Sequence, residues 1–594
     1  MIINLLIRTV FIFTICNIVH STSFCGSPPS VKLDHTIPLH PDNVERRDTA
    51  PRSLKFYTHF TPNFYQLPDY HKLLKFAEYA IKFWEEALTV KKPGSGKQLA
   101  KRYCESGYYY QVHGNNSIYC RQSNCQRDVM CGRARIPDEY VGECYQEHNN
   151  RLYRYYNNGS GIPSAGYVLL VDAINTKTCS GSTVAHASSC LMHEETDRPI
   201  LGYVNVCPGK MKTEYPEDRN ARGIFLHEIG HALGFSSSSF PFMRFPNGTA
   251  RTPRDATHKP IYKDQHGRYL PSNDTIRKIT RTWKSAAGWF RKDFYSFVTP
   301  KIKAAAKKHF RCANLNGADL ENQHQTGEIG SHWEGRLYSN EIMAGRIQVD
   351  YSVSRVTLSF FEDSGWYNVN YKKAMKWFYG RNLGCNFVMK SCFEYAEIQR
   401  HHNRSYVPFC DVIRRATCRD AYSYGTCSIL RYHTPVPIED RFFTKDPFGT
   451  RYDPRFFGGE DPFKDYCPTL YYVKGLGSDY EATSFCTHKE NIALSHKGTN
   501  RYYQTYGPNS MCVTHRGDWT YTDRHVYSLG ENVQGSCHKH KCHRDGTLSL
   551  YFKDSTVNCT KKGVPVRFNV TDGSTRLNGE IVCPNINMFC KVKA

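Results

Sequence analysis

The stretch that decides the fold is Arg222-Gly-Ile-Phe-Leu-His-Glu-Ile-Gly-His-Ala-Leu-Gly-Phe-Ser236. It contains His227, Glu228 and His231 in the H-E-x-x-H order that places two imidazoles and a carboxylate around zinc. Residues four apart share one face of a helix, so both imidazoles reach the same point. At about 100° per residue, Phe225, Ile229, Ala232 and Leu233 fall on the opposite side and seat the helix in a core. Glu228 then points between the two faces, beside the metal and not bound to it. Gly234 stands where the helix must stop, because glycine accepts positive φ without steric cost.

Working outward, Pro216-Glu-Asp-Arg-Asn220 offers helix-start chemistry just upstream. Tyr167–Asp172 and Pro199–Val206 read as buried strands, being short apolar runs with β-branched residues. Leu54–Phe60 reads as a first strand and Leu73–Leu88 as an amphipathic helix. Cys104–Cys144 is a cysteine-dense excursion of loops. Strands and helices alternating ahead of the histidine helix predict an α+β fold. Downstream, the serine run Ser236–Ser239 opens roughly 95 residues rich in Arg, Lys, Pro and Asn, with a helical candidate at Ile276–Phe297. Residues 392–594 read as disulfide-stapled and loop-rich, with little helical periodicity.

The 594 residues are 22% charged and 40% hydrophobic, which describes an ordinary globular chain long enough for several domains. Arg8 followed by the apolar run Thr9–Val19 and the small residues Ser21, Thr22 and Ser23 reads as a secretion signal. No later stretch approaches a membrane-spanning length, and the C-terminal residues lack the hydrophobic tail of a lipid-anchor signal. The expectation is a secreted chain without a transmembrane anchor. Twenty-four cysteines in an exported chain imply disulfides. With Cys16 in the signal, the 22 from Cys104 to Cys590 suffice for eleven bridges and leave Cys25 over. Asn115, Asn158, Asn247, Asn273, Asn403, Asn558 and Asn569 open N-x-S/T triplets that fit glycosylation. The net charge of +23 reads first as a soluble basic surface with no specific partner, and otherwise suits acidic glycans, matrix or host and cell-surface proteins. No nucleic-acid-binding pattern is present, and a monomer is expected.

The next sharp feature is Gly330-Ser-His332-Trp333-Glu334, followed by Asn340-Glu341-Ile342-Met343-Ala344-Gly345. Compact metzincins place a third histidine six residues after the second, where this chain has Ser237. A long insert followed by His-Trp-Glu, with a methionine turn eleven residues beyond that histidine, resembles the leishmanolysin family of zinc proteases. Thr357–Tyr367, Gly380–Val388 and Asp197–Pro208 are similar to the same family. The resemblance implies His227, His231 and His332 as ligands of one Zn²⁺ per chain, Glu228 as catalytic base, and Met343 beneath the metal. It implies a metzincin-type catalytic domain, an inserted central domain carrying the third histidine and the methionine turn, and a disulfide-rich, mostly β/loop C-terminal domain. The expected boundaries are a signal peptide at 1–23, a pro-segment at 24–52, and domains at 53–236, 237–391 and 392–594. Without the resemblance, His258, His266, His309 and His324 compete as third ligand.

Two classes of function lead, ahead of a weaker third, a carrier that acts through its basic surface. In the first, the protein is a secreted zinc endopeptidase acting on protein or peptide substrates, with Cys25 as a latency thiol in the pro-segment or as an ordinary disulfide cysteine. In the second, it is a catalytically idle adhesion or matrix-binding protein with a structural zinc. Arg516-Gly517-Asp518 matches a cell-adhesion tripeptide, but so short a match recurs by chance. His538, His540 and His543 read as decoration of a disulfide loop rather than as a second metal site.

Overall fold

A computed structural model of the chain describes residues 23–25, 33–39, 50–110, 117–323, 329–413, 416–473, 482–495, 500–529 and 533–584, with 586 and 590. Apart from Ser23, the expected signal peptide lies outside the described residues, and so do Asn115 and His324. Helix and strand are mixed throughout, in keeping with an α+β chain.

The amino-terminal part is built on a seven-stranded sheet. Lys55–Phe60, Gly166–Asp172 and Pro199–Val206 run parallel, and the long Thr183–Met192 strand joins them antiparallel. Every residue of Gly166–Asp172 and Pro199–Val206 is buried, which is why both read as continuous apolar runs. Two leader segments extend the sheet. Ser23–Cys25 pairs parallel to Thr183–Met192 and antiparallel to Arg346–Ile347, and Asp34–His35 pairs with Leu191 and Met192.

On one face of this sheet lie two helices, Tyr70–Ala87 and Glu217–Ala232. The Trp84 indole N–H donates to the Leu226 carbonyl at 3.0 Å, and the Tyr167 hydroxyl donates to the Ala232 carbonyl at 2.5 Å. The first helix starts a turn earlier than its apolar spacing predicts. The second begins after Pro216 with Glu217 and Asp218 in its first turn, where the helix dipole favours negative charge. Gly234 ends it at φ +118, and a Cβ there would lie 2.6 Å from the Trp366 ring.

Two sequence expectations are corrected. Ile276–Phe297 is not a helix but a β-hairpin, Ile276–Ser285 paired with Gly288–Phe297. Its inward positions alternate, but some carry charge. Arg281 is buried against Asp319 at 2.9 Å, and Lys292 reaches Asp440 and Asp465 at 2.7 and 2.8 Å. Those charges hide the period of two. The histidine helix is also not two-faced. From Gly223 to Ala232 it is buried on every side, because residues 331–347 cover the face that carries the histidines.

One apolar core runs from Leu54 to Leu470, and a second, around Trp519, Phe552 and Phe568, fills an eleven-stranded sheet near the C-terminus. Residues 392–594 thus hold more regular structure than their loop-rich sequence suggests. Eleven disulfides use all the cysteines from Cys104 to Cys590. The Cys131–Cys190 bridge ties the cysteine-dense excursion to the Thr183–Met192 strand of the main sheet. Among the described residues, no helix is long and apolar enough to cross a membrane.

Candidate metal centre

His227 and His231 project from the same side of their helix, as four-residue spacing requires. His332 reaches them from 101 residues further on. The chain between them runs out at Ser237, just past the helix end, and comes back at Ser331, where the Ser237 amide donates to the Ser331 hydroxyl at 3.0 Å. The two hydroxyls meet at 3.2 Å. His332 therefore arrives beside the position that Ser237 occupies in the chain.

The three rings converge through their Nε2 atoms. His231 Nε2 lies 2.9 Å from His227 Nε2 and 3.2 Å from His332 Nε2. The opposite nitrogens fix the tautomers. His227 Nδ1 donates to the Ile342 carbonyl and His231 Nδ1 to the Phe235 carbonyl, both at 2.6 Å, and His332 Nδ1 donates to Glu321 Oε2 at 2.9 Å. These partners only accept, so each Nδ1 carries the proton and each Nε2 presents a lone pair. Three lone pairs then face one another in a site where no ring is more than 1% exposed. A cation resolves that repulsion, and three imidazoles are a donor set suited to zinc. Burial, and then the neighbouring imidazoles, hold His227 well below its ordinary pKa and bring His231 down to about 3. Both stay neutral, the state a metal ligand needs.

Glu228 is fully buried on the same helix turn, and its charge adds to burial in pushing up the Tyr203 hydroxyl. Met343 lies against the helix between the two histidines, where a Cβ on Gly230 would come within 2.7 Å of its sulfur. That contact explains the glycine inside H-E-I-G-H. The methionine turn is held by buried Glu341, which accepts from the Met343 amide at 2.7 Å, the Ser354 amide at 3.0 Å and the Thr357 hydroxyl at 2.6 Å. The same turn supplies the Ile342 carbonyl that grips His227.

The other expected residues fall elsewhere. His258 and His266 are exposed, and His309 stacks on Trp377 at 3.7 Å and bonds the Tyr379 carbonyl. His538 bonds Ser536 and His543 bonds Ser549; among the described residues they form no metal-competent group. Arg516 pairs with Glu580. Cys25 is described only as a backbone position in the leader strand. Glu321 and Glu341, which brace the centre, were not anticipated. Glu321 belongs to no motif and acts across irregular chain; Glu341 sits inside the Asn340–Gly345 stretch, where nothing in the sequence marks its bonds to Ser354 and Thr357. A cavity of about 320 Å³ adjoins the helix, with Val184, Met211, Ala221 and Ile224 on its apolar side and Lys210 and Glu217 among its polar residues.

The leishmanolysin family model matches residues 154–594. The chain is 31% identical to the leishmanolysin-like peptidase of Drosophila pseudoobscura pseudoobscura, over 86% of this chain and 76% of that one. It is 30% identical to the leishmanolysin-like peptidase of Caenorhabditis elegans, over 86% and 79%. Leishmanolysin of Leishmania tropica is 22% identical over 78% of this chain and 58% of its own length.

Proposed function

The chain belongs to the leishmanolysin family of metallopeptidases, whose substrates are proteins or peptides, and we propose that it is a secreted zinc endopeptidase with one Zn²⁺ per chain. His227, His231 and His332 hold the ion, and Glu228 is the general base. The observation that carries this reading is the convergence of three buried Nε2 lone pairs with no proton between them. When bound, zinc supplies a Lewis acid that acidifies water and polarises the scissile carbonyl. Glu228 accepts the proton of the attacking water and delivers it to the leaving amine. Burial of the centre strengthens each of these charge interactions. The cavity beside Val184 and Ile224 receives the side chain on the leaving-group side of the cut bond.

The middle part of the chain, 237–391, acts as the insert that brings the third ligand, between a catalytic portion at 53–236 and a cystine-rich one at 392–594. Residues 24–52 act as a pro-segment. In support, Ser23–Cys25 and Asp34–His35 run along the Thr183–Met192 strand, where an extended substrate would pair. His35 Nε2 bonds Asp197 at 2.8 Å, Lys259 bonds His35 Nδ1 at 2.6 Å, and Tyr103 bonds Asp34. Cys25 is the thiol we assign to latency. The six described N-x-S/T asparagines are all exposed, which suits a glycosylated, exported chain.

A casein or gelatin digest, run with and without a zinc chelator and after removal of residues 1–52, tests the proposal. Cleavage that stops with chelator and returns with zinc is expected. Bound zinc without cleavage would favour the idle, structural-zinc alternative.

A further inference from the structure

His227 and His231 are aimed by the helix they share. His332 has no such frame, because it sits in irregular chain between an exchange of single bridges at Leu320–Trp333 and Trp333–Ala344. We propose that Glu321 is the positioning residue for the third ligand. It holds the His332 ring in the Nδ1–H tautomer, aims Nε2 at the metal, and makes that nitrogen the most electron-rich donor of the three. The inference rests on the reading that the three imidazoles hold the ion.

Four observations support it. Glu321 and His332 are each 1% exposed, so the contact between them is shielded from water. Glu321 Oε2 accepts from His332 Nδ1 at 2.9 Å, while its other oxygen accepts from the Ser331 amide at 2.9 Å. The Glu321 amide donates to the His332 carbonyl at 3.0 Å, so backbone and side chain grip the same residue. Room for the carboxylate is made by Gly330, where a Cβ would fall 2.2 Å from Glu321 Cγ.

The chemistry differs from that at the other two rings. Their Nδ1 protons rest on the neutral Ile342 and Phe235 carbonyls. A carboxylate acceptor makes a charge-assisted bond, roughly twice as strong as a neutral one, and raises the basicity of the far nitrogen. It also brings a negative charge to a buried centre whose three direct donors are neutral.

The test is Glu321→Gln, which keeps the size and an acceptor and removes the charge. Zinc affinity is measured on the folded protein by competition with a chromophoric chelator, and the melting temperature of the zinc-free form is recorded beside it. We expect affinity to fall about 10- to 100-fold, and the ligand-field bands of the Co²⁺-loaded protein to shift. Gly330→Ala, which leaves the carboxylate in the chain but pushes it aside, should weaken zinc in the same direction. An affinity of Glu321→Gln within twofold of the parent, with unshifted bands, overturns the inference, whatever happens to the melting temperature. A parent protein that binds no zinc sinks the metal reading and this one together. A parent that binds zinc through its histidines beside an indifferent Glu321→Gln sinks this one alone.

Discussion

Two buried histidine clusters sit in this chain, and they are built in opposite ways. In the carboxyl-terminal sheet, His515 Nδ1 donates to the Val533 carbonyl at 3.1 Å, so its Nε2 accepts from the Ser536 hydroxyl at 2.7 Å. The same hydroxyl lies 2.7 Å from His538 Nε2. A proton-bearing hydroxyl stands between the two rings. In the amino-terminal half, His227, His231 and His332 point proton-free nitrogens at one another. Burial is common to both, and it depresses the pKa of His227 and His231 as it does those of His515 and His538, so neither property distinguishes a metal centre. The direction of the lone pairs does.

The sharpest way to break that contrast is to remove one ring from each cluster. His231→Ala should abolish zinc binding and all proteolysis, whereas His538→Ala should leave one zinc per chain; metal analysis of the purified proteins decides. Glu228→Gln comes next. It should keep the zinc and lower kcat by about 100- to 10,000-fold, and a variant that loses the metal instead would make Glu228 a ligand. Ser536→Ala leaves the Nε2 of His515 without its donor. It should cost about 1–3 kcal/mol of stability in urea unfolding, with kcat unaltered.

Acid probes the self-satisfied histidines as well. Burial brings His538 down to about 3, and burial with Arg219 and Arg222 nearby does the same for His488. Below about pH 6.5 the unfolded chain binds protons at these positions and the folded chain does not, until near its own lower value. Stability therefore falls as pH drops from 6.5 toward 3, by up to about 1.4 kcal/mol per unit for each ring. Urea midpoints at pH 7, 6 and 5 would show it, and a flat profile would argue that the rings are not held neutral. The smallest effect is expected of Met343→Leu, under about 1.5 kcal/mol with zinc retained.

Much of this was legible in the sequence. The helix from 217 to 232 announces itself by histidine spacing and its terminal glycine, and the buried strands by unbroken apolar runs. His332 was legible only through family resemblance, since nothing in its local pattern links it to residues 101 positions away. The hairpin at 276–297 was hidden because Arg281 and Lys292 face inward, with partners supplied from Asp319, Asp440 and Asp465. A polar letter at a core position reads as surface until its partner is known. Glu321 was illegible for a related reason, as its role exists only once Gly330 and His332 fold back over it. The cysteine count gave the number of bridges and none of the pairings.

The meeting of Ser237 and Ser331 has a consequence for how such a chain can change over time. An excursion whose two ends touch is, to the remainder of the molecule, a closed parenthesis. Flexible stretches inside it can grow or shrink at a cost that rises only logarithmically, about 0.6 kcal/mol for each doubling in length, provided the bracketing serines, the histidine after them, Glu321 and the aromatic residues lent to the main core keep their places. Relatives with very different text inside the bracket can therefore present the same three nitrogens.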